Sequence, residues 1–74
     1  MSDIPKYRGF YIQPRQRFYQ GSFSWHVKVT KSIVVKDNEK KLRAEAIADT
    51  EEETIQIIKE KIDRLIDQYP QAET

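Results

Sequence analysis

A chain of 74 residues has room for one small domain and no second one. It contains no cysteine, which excludes disulfides, thiolate metal sites and iron–sulfur clusters, so the core is apolar packing alone or packing shared with another subunit. The net charge of +1 hides a division: residues 1–43 hold ten Lys/Arg against three acids (+7), residues 44–74 three against nine (−6).

In chain order, residues 1–6 are expected to be a loose end. Met1 to Lys6 shows no long apolar stretch of the secretory kind. A first strand is expected at about 7–13. Its register is open, because Phe10 and Ile12 on one face compete with Tyr7 and Tyr11 on the other. Residues 14–22 read as a loop carrying Arg15, Arg17, Phe18 and Tyr19. The next strand, 23–35, alternates cleanly. Phe23, Trp25, Val27, Val29, Ile33 and Val35 share one parity, interrupted by Lys31, while His26, Lys28 and Thr30 take the other. Its length predicts a bend or break near Thr30–Ser32. Asp37-Asn38-Glu39-Lys40 reads as a turn.

Leu42, Ala44, Ala46 and Ala48 alternate with Lys41, Arg43, Glu45 and Ile47, which predicts a third strand at 41–48. The same segment is good helix composition, a competing reading. Against it, Thr50-Glu51-Glu52-Glu53 is a capping box, so a helix starts there rather than earlier. Ile55, Ile58, Ile62, Leu65, Ile66 and Tyr69 then recur at helical spacing, and Pro70 ends the run, giving a helix at about 51–68. Residues 70–74 are expected to be loose and carry no lipidation box.

The fold class expected is therefore α+β: one domain over 1–74, a three-stranded antiparallel meander (β-β-β) with one C-terminal amphipathic α-helix packed on one face. The helix stripe is expected on Trp25, Val27, Val29, Leu42, Ala44 and Ala46, leaving the opposite face to solvent. No segment approaches the roughly 18 apolar residues of a membrane span, and a soluble, cytoplasmic protein is expected.

Catalytic chemistry needs a constellation that this chain lacks. His26 is the one histidine, there is no nucleophile elbow, and Gly9 and Gly21 are isolated, so no phosphate loop exists. Consecutive helix positions Glu51, Glu52 and Glu53 point in different directions, and capping explains them better than a metal does. The reading is of a chain with no catalytic, cofactor or metal residues, not an enzyme. Arg8-Gly9-Phe10-Tyr11-Ile12 shares residues with the aromatic signature of RNA-recognition motifs, but one residue is missing between Phe10 and Tyr11 and the alternation fails.

The cations are the sharper lead. Basic and hydrogen-bonding residues interleaved with aromatics suit a nucleic acid, cations neutralising phosphates while guanidinium groups read bases. The candidate contacts are Tyr7, Arg8, Tyr11, Arg15, Arg17, His26, Lys28, Lys41 and Arg43. The competing reading is a solvated face whose lysines discourage sheet pairing.

Tyr7-Arg8-Gly9 opening a strand, Trp25-His26-Val27-Lys28-Val29 in the next, and Thr50-Glu51-Glu52-Glu53 opening a helix that contains Ile62-Asp63 form a pattern across about residues 7–67. It resembles the plant ethylene-response-factor DNA-binding domain and the amino-terminal arm-binding domain of phage-type integrases, and also small accessory proteins of bacteria and phages. The first two families lay their sheet in the major groove of DNA. The resemblance implies Arg8, Arg15, Arg17, Lys28 and Arg43 as contacts. It departs from those families at the Asp37–Lys40 turn, where they carry glycine, at the alanine-rich third strand and in the acidic helix. The alternative is a protein-interaction module or a homodimer, suggested by Phe18, Tyr19, Val34, Ile47 and Ile57, apolar groups the core does not need.

Overall fold

The computed structural model describes residues 4–73 and has the expected α+β composition. Strands β1 (Lys6–Tyr7) and β2 (Phe10–Tyr11) form a small hairpin. Strands β3 (Arg15–Tyr19), β4 (Ser22–Val35) and β5 (Asn38–Ala48) form a three-stranded antiparallel sheet in the order β3-β4-β5. Helix α1 (Glu51–Gln68) lies over β4 and β5, and a 3-10 turn follows at Pro70–Ala72.

The meander is present, but its first strand is not 7–13. That segment folds as the β1–β2 hairpin outside the main sheet, and the expected loop at 14–22 supplies β3 instead. Turn geometry is the reason. Each of the three hairpins closes with two residues at positive φ: Arg8 (49°) and Gly9 (90°), Gln20 (51°) and Gly21 (79°), Lys36 (51°) and Asp37 (66°). That backbone twists in the sense of the flanking strands and closes hairpins most tightly. The third turn therefore sits at Lys36–Asp37, and β5 begins at Asn38, ahead of the expected strand start at 41.

β4 runs unbroken from Ser22 to Val35, with its pairing to β5 continuous through Thr30–Ser32 where a break was expected. Lys31 keeps the parity of the covered face. Its ammonium donates to the carbonyl oxygens of Gly9 (3.3 Å) and Ala72 and lies 5.1 Å from the Phe10 ring centroid. The alkyl stem is accommodated at the core edge while the charge ties the small hairpin and the 3-10 turn to β4.

The helix start is the expected one: the Thr50 hydroxyl accepts from the Glu53 N–H at 3.1 Å. Ile58, Ile62 and Ile66 are buried in one cluster with Val27, Val29, Leu42 and Ala46, which Phe10, Ile12, Ile33 and Ala72 complete. Thr54 is buried as well, its hydroxyl donating to the Thr50 carbonyl oxygen at 2.8 Å, with that of Trp25 at 3.3 Å. Ile57, expected on the surface, is half-buried and packs on this cluster. Ala44, Ala46 and Ala48 are small enough to bring the helix close to β5.

The chain ends are less loose than expected. Pro70–Ala72 forms a turn with Ala72 fully buried, Glu73 is held by Arg8, and Lys6 is in β1. Residues 1–3 and 74 of the expected loose ends lie outside the described residues.

Length mismatch decides what stays uncovered. β4, at about 3.3 Å for each of its 14 residues, is about as long as the longest extent of the molecule, 46 Å. The 18 residues of α1 reach only about 27 Å at 1.5 Å each. The helix starts beside Trp25 and runs towards Lys40, whose ammonium lies over the Tyr69 ring. The β3–β4 tip therefore projects beyond the helix, leaving Phe18 and Phe23 64% and 61% exposed. Phe23 shares the parity of the core residues yet has nothing above it.

Candidate nucleic-acid interface

Directly opposed residues in an antiparallel sheet share a face, so the register assigns the uncovered side of the sheet row by row. The rows are Tyr19 with Ser22; Arg17 with Ser24; Arg15 with His26 and Ile47; Lys28 with Glu45; Thr30 with Arg43; Ser32 with Lys41; and Val34 with Glu39. Five successive rows carry one Arg or Lys each: Arg17, Arg15, Lys28, Arg43 and Lys41. All five side chains are exposed. Successive rows are about 6.7 Å apart, twice the rise per residue, so the line runs some 27 Å. Its carboxylates are Glu45, beside His26, and Glu39 at the far end.

β3 pairs only with Ser22–His26 and β5 only with Trp25–Val35, so the strands are three abreast just at Trp25 and His26. Elsewhere the platform is a two-stranded ribbon. The line crosses from β3 through β4 to β5 along it.

His26 is where the strands meet. Its side chain is 17% exposed, and Nε2 lies 3.5 Å from Glu45 Oε2. Around it, Arg17, Phe18, Tyr19, Ser24, His26 and Ile47 line a depression of about 350 Å³ at the sheet's edge. At the other flank Arg43, Lys61 and Arg64, with Glu45 among them, border a cleft of about 460 Å³ between the β5 edge and the helix. Lys61 donates to the Glu45 carbonyl oxygen at 2.6 Å. Sequence reading missed Lys61 and Arg64. The signal was their spacing with half-buried Leu65, which places them on the helix flank beside β5.

Of the candidate contacts, Arg15, Arg17, His26, Lys28, Lys41 and Arg43 are brought together on this face, and Tyr7, Arg8 and Tyr11 are not. Tyr11 is exposed on the small hairpin, with the Lys6 ammonium 5.2 Å from its ring centroid. Tyr7 and Arg8 belong to the helix side. The Tyr7 hydroxyl donates to Asp63 Oδ1 (2.9 Å), and Arg8 Nη1 donates to the same oxygen (2.8 Å). Arg8 also grips Glu73 with two bonds, Nε to Oε2 (2.7 Å) and Nη2 to Oε1 (3.2 Å). The β1–β2 turn aims Arg8 at the helix, so its charge is spent within the fold.

This cluster sets a pH dependence. Arg8, with Tyr7 after it, holds the Asp63 carboxyl below its ordinary 3.8, and Arg8 holds Glu73 below its ordinary 4.5. The same contacts hold the Arg8 guanidinium more firmly protonated, and the bond to Asp63, then burial, raise the Tyr7 phenol. A carboxylate with a depressed folded pKa contributes stability that is complete above its unfolded value and lost as pH falls through the folded one. Acidification below about pH 4.5 is thus expected to loosen the hairpin and the C-terminal turn from the helix. Melting curves of the wild type and Arg8→Ala between about pH 5 and pH 2 check this. The variant should lose stability less steeply, and coincident profiles would contradict the assignment.

Among the described residues no three His, Cys, Asp or Glu side chains come together to hold a metal ion, and no helix is long and apolar enough to cross a membrane. Compared with protein-family models, curated proteins and solved structures, the chain matches none.

Proposed function

We propose that this chain is a small, non-enzymatic binding module of the cytoplasm that holds nucleic acid on the open face of its β3-β4-β5 sheet. One observation carries the reading: a cation on each of five consecutive rows of that face, with the acidic first turn of the helix on the other side of the sheet. Neighbouring phosphates on a nucleic-acid strand are a comparable distance apart, so the line can follow one backbone. Each neutralised phosphate releases condensed counterions, which drives binding.

The test is fluorescence anisotropy of labelled oligonucleotides between about 50 and 200 mM salt. Five phosphate contacts predict a slope of log K against log salt between about −3.5 for single strands and −4.5 for duplex. Binding that ignores salt, or none at low salt with single strands, duplex DNA or RNA, overturns the proposal.

A second reading has its own observation. Phe18 and Phe23 pair across the tip with ring centroids 4.9 Å apart, on the side away from the cations and past the end of the helix. An exposed aromatic pair of this kind favours a protein contact, including a second copy of the chain. Sedimentation at increasing concentration, with Phe18→Ser as control, checks it. Concentration-dependent dimerisation lost in the variant supports this contact, and a monomer at all concentrations removes the homodimer.

A further inference from the structure

Resting on the proposal that the open face binds nucleic acid, we infer that its ligand is single-stranded, with an unpaired base seated in the depression between Tyr19 and His26. The cation line ends at this depression. Arg17 and Arg15 occupy the last two basic rows, and the next row carries Tyr19, 71% exposed and beyond the reach of the helix. Ser24 and His26 floor the depression and Ile47, itself exposed, supplies an apolar wall. Its volume of about 350 Å³ falls at the lower end of the range of small-molecule pockets.

In a duplex every base face is already stacked on its neighbours, so a protein aromatic on a cationic face finds nothing to stack on. A single strand offers a free face at each nucleotide, and proteins that hold single strands combine a cationic track with exposed rings. Here the track and the ring are consecutive on one ribbon. A strand whose phosphates follow Lys41, Arg43, Lys28, Arg15 and Arg17 delivers its next base to Tyr19. The ring and the Arg17 guanidinium provide stacking surfaces, and the Ser24 hydroxyl and His26 imidazole provide hydrogen bonds that different bases can use. Modest sequence preference is the corollary.

The test uses the full chain with a fluorescein-labelled oligodeoxythymidine of about 12 nucleotides and a duplex of equal length. The single strand should bind at least about tenfold more tightly than the duplex. Tyr19→Ala should weaken single-strand binding about tenfold while leaving duplex binding and the salt slope unchanged. Tyr19→Phe should retain the wild-type value, and the exposure of Tyr19 lets both variants keep the wild-type melting curve. Equal affinity for the two oligonucleotides, or a Tyr19→Ala effect that is absent or shared by the duplex, overturns the inference. The broader proposal stands in that case as long as binding is salt-dependent and lost on charge reversal. Absence of any binding at low salt removes both.

Discussion

Replacing Arg15, Arg17 and Lys28 together by glutamate is expected to lower nucleic-acid affinity by about a thousandfold near 50 mM salt. Each phosphate contact is worth roughly tenfold at that salt, so losing three gives this magnitude before new repulsion is counted. The reversal leaves Lys41 and Arg43 facing Glu39, Glu45 and three added carboxylates. The salt slope for a single strand should fall with it, from about −3.5 towards −1.4. All three side chains are exposed on the uncovered face, so the melting temperature should hold, and circular dichroism verifies that the loss is not one of folding. Retained affinity in a folded triple variant would show that the ligand lies elsewhere.

Ile62→Ala is expected to be strongly destabilising. Ile62 is 0% exposed and lies between Ile58 and Ile66 on the buried stripe of α1. Deleting such a side chain costs about 2–5 kcal/mol, because transfer energy is lost and the cavity collapses only in part. A chain of this size has about 4–11 kcal/mol in all. The melting temperature should fall by roughly 8–40 °C, since each kcal/mol moves a small domain by about 4–8 °C. Val34→Ala, on an exposed row of the same sheet, should change stability by less than about 0.5 kcal/mol. Thermal and urea unfolding of the two variants measures the contrast. An Ile62→Ala cost below about 1 kcal/mol would mean that the helix does not pack as described.

How legible each element was depends on how much of it one face buries. The helix was readable to its ends, because Thr50 and Glu53 start it, Pro70 stops it, and six apolar positions mark one side. The middle of β4 was equally readable, being covered on one face and open on the other. β3 was not. Arg15-Gln16-Arg17-Phe18-Tyr19 has solvent on both faces past the end of α1, so no period of two was imposed on it. Its closing turn was hidden as well: Gln20 occupies a positive-φ position where Asn or Gly is the usual signal. The segment 7–13 misled in the opposite way. Its aromatic residues suggested a strand, but Arg8-Gly9 folds it back after two residues.

The same contrast applies to the candidate interface. That cations gather in the first half of the chain is a property of the sequence. Which of them act together is so only in part: alternation already put Lys28, Lys41 and Arg43 on the open face. Arg8 is drawn to Asp63 and Glu73, and Lys31 is turned by its parity to backbone carbonyls on the covered face. Arg15 and Arg17, assigned to a loop, join the line only because β3 pairs with Ser22–His26.

The sequence by itself determined an amphipathic, acid-capped helix, a half-buried central strand and the partition of charge, because each is written in local periodicity or composition. Tertiary structure alone decided the five-row cationic line and the depression at its end. Both depend on strand register, and a one-residue slip would send every side chain of a strand to the opposite face. That register is set by two-residue turns and by how far the helix reaches.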